Sequence, residues 1–177
     1  VEPLTISVHA VKRARAVRGE HLAVTGAGPI GLLAALYAKV IGAVPIVIDP
    51  IDERLAAASA LGIPFTINPA QESAVDRIRE ITGGRMAEAV IEASGSGAAI
   101  RSSIDYAAYS GRVALVGWPK ADVSLPTAMF TKKELDVVGS RNSRGDFAES
   151  IELVATGRID VTAMITRTIP FEASPDA

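Results

Sequence analysis

The 177-residue chain contains no cysteine, which excludes disulfide staples and thiolate-rich zinc sites and fits a reducing compartment. Histidine is nearly as scarce, with only His9 and His21, so imidazole ligands for a metal are few. An excess of charge of one sign is lacking too. Twenty acidic and eighteen basic side chains leave a net charge of −2 with neither sign gathered into runs, and electrostatics therefore points to no nucleic acid and no membrane surface. Every apolar stretch is broken by Gly, Pro or charge well before the ~20 residues a membrane helix needs. No basic segment leads into an apolar one at the N-terminus, and there is no internal repeat, low-complexity tract or linker. These absences leave a cytoplasmic protein with a small-molecule partner as the expectation. The length, with 49% hydrophobic residues, suits one domain with a sizeable core.

From residue 21 onward, short β-branched runs alternate with longer Ala/Leu/Ile-rich stretches at helical spacing. That is the pattern of an α/β fold, a doubly wound parallel sheet with helices on both faces. Six strands are predicted at His21–Thr25, Val44–Asp49, Pro64–Asn68, Ala87–Ala93, Arg112–Gly117 and Glu134–Ser140. Helices are predicted at Ile30–Ile41, Asp52–Leu61, Gln71–Thr82, Gly97–Ser110 and Phe147–Thr156. Several are closed by a glycine (Gly42, Gly62, Gly83, Gly111, Gly157), where a left-handed C-terminal residue is easiest. Residues 3–17 read as a helix that delivers the chain to the first strand. Met164–Phe171 reads as the start of another strand, after which Glu172–Ala177 shows no closing element.

The sharpest local feature is Gly26-Ala27-Gly28-Pro29-Ile30-Gly31, directly after the apolar strand and opening a helix. In that position Gly26 allows the tight turn, Gly28 lets backbone approach a pyrophosphate, and Gly31 lets the helix sit close to the strand. The helix N-terminus then offers unpaired N–H groups and the positive end of its dipole to phosphate. Asp49 ends the second strand, 18 residues beyond Gly31, where a carboxylate accepts bonds from the ribose hydroxyls of a dinucleotide. A 2′-phosphate would be repelled there, and no Arg immediately follows, so NAD is expected over NADP.

These residues resemble a known family. Leu22 to Gly31, followed by Asp49-Pro-Ile-Asp-Glu-Arg54-Leu55, is similar to the coenzyme domain of the zinc-type, medium-chain alcohol and polyol dehydrogenases, with the sorbitol dehydrogenase-like and sugar-acid members nearest. Glu2-Pro3-Leu4 with His9-Ala10 resembles the lead-in to that domain. Gly111 to Gly117 resembles its fifth strand, and Leu135 to Asn142 its sixth strand and loop. The resemblance implies that Ile30 packs beneath the dinucleotide, Asp49 holds the ribose and Arg54 lies beside the adenosine. Val116, Gly117 and Trp118 would flank the nicotinamide end, together with Ser140, Arg141 and Asn142. Trp118 departs from the smaller residue common there, and Arg141-Asn142 differs from the aromatic–arginine pair of the polyol enzymes.

The same resemblance implies NAD-dependent oxidation of a secondary alcohol, a polyol or sugar acid, to a ketone, assisted by zinc. The zinc would be held by Cys, His and Glu side chains of a preceding catalytic domain, with Glu2 the one near-zinc residue present here. Residues 1–177 are accordingly expected to form a single dinucleotide-binding domain. Its first 20 residues would come from the missing catalytic domain, and residues 164–177 would begin a truncated return segment. A homo-oligomer is expected through the edge of the sixth strand, and no turnover from this chain alone. A stand-alone dinucleotide-sensing module is the competing reading, and a methyltransferase a third. Tyr37, Tyr106 and Tyr109 lack a Lys four residues later, which excludes the short-chain dehydrogenases. The absence of a Gly-x-Ser-x-Gly turn excludes the corresponding hydrolases. Gly95-Ser96-Gly97 is read as a cofactor-side loop after the fourth strand.

Overall fold

The structure, a computed structural model, describes residues 1–172. The chain runs α1 (Glu2–Arg13), β1 (His21–Thr25), α2 (Pro29–Ile41), β2 (Val44–Ile48), α3 (Asp52–Ala60), β3 (Phe65–Ile67) and α4 (Ala74–Ile81). It continues through β4 (Ala87–Glu92), α5 (Gly97–Tyr106), β5 (Ala107–Leu115), α6 (Thr127–Lys133), β6 (Asp136–Gly139), α7 (Phe147–Ala155) and a 3-10 turn at Thr162–Met164. All strand pairings are parallel, in the order β3-β2-β1-β4-β5-β6. The sheet starts at β1, winds outward through β2 and β3, then returns to β4 and winds the other way. The strand order therefore reverses between β1 and β4, which is where an open parallel sheet leaves a crevice beyond its carboxyl ends.

Side-chain alternation explains why both faces are covered. Leu22 and Val24 of β1 point into a core with α1, α2, α3 and α7, through Leu4, Val8, Leu33, Ala58 and Leu153. Ala23 points to the opposite core, with Ile78 of α4 and Ile104 of α5. A strand buried on both sides must be largely apolar, as β2 and the middles of β1 and β4 are. No helix among the described residues is long and apolar enough to cross a membrane.

Four of the five glycines expected to close helices do adopt a left-handed backbone: Gly42, Gly62, Gly83 and Gly157. Gly111 does not. The helix predicted to reach Ser110 ends at Tyr106, and Ala107 already pairs with Ala87 as the first residue of β5. The early stop has a tertiary cause. Lys133, at the end of α6, buries its ammonium against the carbonyls of Ile104, Asp105 and Ala107 at 3.0, 3.2 and 2.8 Å, capping carbonyls that a longer helix would have used itself. The seven-residue α6 went unread because it has no capping side chain and follows a stretch without helical periodicity. Ser110 takes the positive φ instead of Gly111.

One other expectation is corrected. Met164–Phe171 is not a strand: it holds the end of the 3-10 turn, irregular chain over 165–170 and 3-10 backbone again at Phe171, and it pairs with no strand among the described residues. Residues 173–177 lie outside the described residues. The β6 edge is met by side chains from α1 and the turn that follows it. Arg13 of α1 donates to the Gly139 carbonyl at 3.0 Å and Arg15 pairs with Asp136, so charge and a side-chain donor occupy part of that edge.

Helix α7 is tied to α1 and α2 by a charged cluster. Asp146, almost fully buried, accepts from Lys12 at 2.8 Å and from the Arg144 amide at 2.9 Å, and lies 3.3 Å from His9. Glu149 joins Lys12 and the Tyr37 hydroxyl. Burial, with the bond to Glu149, pushes the Tyr37 phenol up to about 12. For Asp146 burial acts upward, but the Lys12 ammonium and the Arg144 amide outweigh it and hold the carboxyl below the usual aspartate range. A carboxyl whose folded value is depressed contributes stability that is complete above its unfolded value and lost as pH falls through the folded one. Asp146→Asn should therefore lower the thermal midpoint at neutral pH and flatten its decline between about pH 5 and 2. Calorimetric scans across that range check both.

Candidate dinucleotide-binding site

The crevice is built from the turn between β1 and α2. Gly26 has φ +94°, a conformation glycine adopts without strain, and its N–H bonds the Ile48 carbonyl at 2.8 Å. A Cβ on Gly31 would lie 1.8 Å from the Gly26 carbonyl oxygen and 3.3 Å from a Val24 methyl, so helix and strand approach only because Gly31 has none. A Cβ on Gly28 would meet nothing within 4 Å: that glycine faces open space. The first α2 backbone bond runs from Leu32 to Gly28 at 2.9 Å, leaving the Ile30 and Gly31 amides ahead of it without helical partners. Open backbone, unpaired amides and a helix N-terminus fit a dinucleotide pyrophosphate.

Asp49 follows β2 and is 2% exposed. Its carboxylate accepts from the Ala27 amide at 2.8 Å and the Ile51 amide at 2.9 Å, so it also holds the glycine turn in place. The Arg54 guanidinium reaches it at 3.5 Å. That contact changes the charge argument. No arginine follows Asp49 directly, but one turn into α3 Arg54 swings back, which a linear reading of neighbours does not show.

The predicted residues fall into adjoining clefts. One of about 420 Å³ is lined by Gly26, Asp49, Arg54, Pro69 and Ser94. A second, about 480 Å³, holds Gly28, Pro29 and Arg54. A third, about 470 Å³, lies on the other side of the turn and gathers Ile30, Val116, Gly117, Trp118, Arg141 and Asn142, with Ser140. Leu115 pairs with Gly139 in register, so the chains leaving β5 and β6 exit side by side. Ile30 is fixed there because its carbonyl accepts the Ser7 hydroxyl of α1 at 2.8 Å. Gly31 lines none of these clefts; its place is in the packing beneath. Glu2 is exposed at the start of α1 and lines none either.

Sequence reasoning missed Glu92. This fully buried carboxylate ends β4 opposite Thr25. It accepts from the Thr25 hydroxyl at 3.2 Å, the Ser94 amide at 2.9 Å and the Gly95 amide at 3.2 Å. Its backbone carbonyl takes the amides of Val116 and Gly117 at 2.8 and 2.9 Å. A Cβ on Gly117 would lie 2.1 Å from the Gly95 nitrogen and 2.5 Å from the Glu92 carboxylate, so the loops after β4 and β5 cross in contact. The available signal was a lone acid closing an apolar strand, Val90-Ile91-Glu92, just before Ser94-Gly95-Ser96.

The arrangement has known counterparts. Residues 29–156 match the family of zinc-binding dehydrogenases. The chain belongs to that family. It is 48% identical over 174 residues to an uncharacterized zinc-type alcohol dehydrogenase-like protein of Haemophilus influenzae, covering 98% of this chain and 51% of that protein. It is 38% identical to L-galactonate-5-dehydrogenase of Escherichia coli, over 97% of this chain and 51% of the relative. Against sorbitol dehydrogenase 1 of Saccharomyces cerevisiae the identity is 34%, with 100% and 52% covered. Among solved structures, alcohol dehydrogenase TADH from Thermus sp. ATN1 superposes with a TM-score of 0.93 at 30% identity, over 98% of this chain and 51% of that one. An E. coli alcohol dehydrogenase in complex with NADH gives 0.89 at 27%, covering 99% and 52%. A zinc-binding dehydrogenase from Sinorhizobium meliloti bound to NADP gives 0.92 at 28%, covering 99% and 53%. The chain spans about half the length of the curated relatives it matches.

Zinc does not fit the residues at hand. No group of three His, Cys, Asp or Glu among the described residues could hold a metal ion. His9 lies beside Asp146, and His21 lies 3.5 Å from Glu88 at the start of β1.

Glu92→Ala should destabilise the domain by on the order of 1–3 kcal/mol, because it leaves buried amide and hydroxyl donors unpaired. Glu92→Gln, which keeps an acceptor, should cost less. Chemical denaturation of the two variants gives the comparison, and equal losses would mean that volume rather than hydrogen bonding is what Glu92 supplies.

Proposed function

We propose that this chain is the NAD-binding domain of a zinc-dependent oxidoreductase that oxidises a secondary alcohol, a polyol or sugar acid, to a ketone by hydride transfer. The observation that carries the reading is the open glycine turn between two lined clefts at the switch point of the sheet. When bound, the dinucleotide supplies the hydride-accepting ring; the chain's own residues bind and orient it. The amides of the first α2 turn receive the pyrophosphate, and Asp49 takes the ribose hydroxyls beside Arg54. Ile30, Val116, Gly117 and Trp118 wall the nicotinamide end, with Ser140, Arg141 and Asn142 closing it from the β6 side. The zinc belongs to side chains of a catalytic domain outside this chain, near which Glu2 would lie. Residues 1–177 are read as one domain in a cytoplasmic homo-oligomer that associates along the β6 edge. L-galactonate and sorbitol, in the names of the relatives, support a hydroxylated carbon chain as substrate.

The discriminating residue is Asp49. Isothermal titration should find NAD bound more tightly than NADP, since the carboxylate matches a diol and repels a phosphate. Asp49→Ala should weaken NAD by about 1–3 kcal/mol. Equal affinity for the two cofactors would instead make Arg54 the partner of a 2′-phosphate and overturn the assignment.

The chain alone should not oxidise a polyol or sugar acid even with zinc added. A catalytic zinc needs about three protein ligands, and a substrate unheld against the nicotinamide forfeits the advantage of near-attack geometry. NADH formation from sorbitol or galactonate that required zinc and vanished in Glu2→Ala would refute this.

A further inference from the structure

The third cleft carries a charge that faces no acidic side chain among its lining residues. Arg141 is exposed in the loop after β6, and its guanidinium carbon lies 4.9 Å from the centroid of the Trp118 ring. Trp118 is itself 77% exposed, in the loop after β5. Among the described residues Arg141 forms no ion pair, a condition it shares with Arg13, Arg18, Arg101, Arg144, Arg158 and Arg167, but it alone of these lines this cleft. The other walls of the cleft are apolar or neutral, among them Ile6, Ile30, Leu115 and Val116. Beside Arg141, Ser140 is 6% exposed and its hydroxyl oxygen is buried with no hydrogen-bond partner.

A guanidinium over an aromatic ring is held by cation–π attraction without using its N–H donors as hydrogen bonds to other groups. The Trp118 ring therefore restrains Arg141 while its fork remains available, next to a second unspent donor, in a cleft that offers no anion to receive either. The charge is not needed by the phosphates in their expected place: Gly28 and Pro29, proposed to face the pyrophosphate, line a different cleft from Arg141. A planar fork fits a pair of carboxylate oxygens in bidentate fashion.

We propose that Arg141, held by Trp118, recognises the carboxylate of the substrate, so that the site takes a polyhydroxy acid in preference to a neutral polyol. The assignment rests on the proposed dehydrogenase reading and specifies its substrate class. A phosphate of the cofactor would present similar oxygens, and the test separates the two sources.

Trp118 is the only tryptophan in the chain, so its single indole N–H resonance reports on this cleft. The chain is first saturated with NADH, then titrated with galactonate and, separately, with galactitol. Galactonate should shift the indole signal saturably and bind about tenfold or more tightly than galactitol, the scale of one charge-assisted contact. Arg141→Gln, resaturated with NADH, should remove that preference. Arg141→Lys, which keeps charge without the fork, should fall between, and Arg144→Gln in the same loop should retain the preference. Equal affinities for acid and polyol, no response to galactonate, or a preference that survives Arg141→Gln would each overturn the proposal. So would an Arg141→Gln variant in which NADH binding alone weakens, since the cation would then serve the cofactor phosphates. Failure of the unsubstituted chain to bind NADH appears before any sugar acid is added and counts against the dinucleotide reading itself.

Discussion

An open crevice at the end of a parallel sheet imposes one demand: the loops that line it must satisfy their backbone amides without filling the space. In this chain two buried carboxylates meet it. Asp49 takes the amides of Ala27 and Ile51, and Glu92 those of Ser94 and Gly95 together with the Thr25 hydroxyl. Both stand at carboxyl ends of strands flanking β1. Burying a charge is costly unless it is compensated by hydrogen bonds, and here each carboxylate is compensated by the donors that would otherwise be orphaned. The loops are held from below, which leaves their upper surfaces free for a ligand.

Glycine completes the same arrangement through the absence of side chains. Gly31 and Gly117 sit where a Cβ would collide with backbone, so each marks a contact between two segments that have to lie close. Gly28 marks the opposite condition, a place where nothing of the protein intrudes. A motif of three glycines thus serves three different constraints, and only the one at Gly28 concerns a ligand directly. The rigidity gained on the β1, β4 and β5 side is matched on the β6 side by charge. Asp146 and Glu149 gather Lys12, His9 and Tyr37 around the start of α7, immediately after the loop that carries Arg141 and Asn142.

Much of this was legible in the sequence. The strand–glycine–helix turn, the acid ending β2 and the alternation of β-branched and helical runs depend on residues close together in the chain, where turn chemistry and periodicity act directly. Placement of the lower-periodicity segments was poorer. Helix α6 lacks a cap and an amphipathic repeat, and the strand expected at Met164–Phe171 had β-branched residues but no neighbour with which to pair.

What the sequence by itself determined is the class of the fold and the turn at its centre, because both follow from local conformational preference and from the period at which apolar residues recur. Tertiary structure decided which distant groups meet. Arg54 reaches Asp49 only by a turn of α3, and Lys133 ends α5 from 26 residues further along the chain than Ala107. Glu92 binds Thr25 because β4 returns to lie beside β1, and Arg141 stacks on Trp118 because β5 and β6 leave the sheet in register. Strand order, not strand identity, sets these contacts, and strand order is fixed by the packing of both sheet faces at once rather than by any one segment.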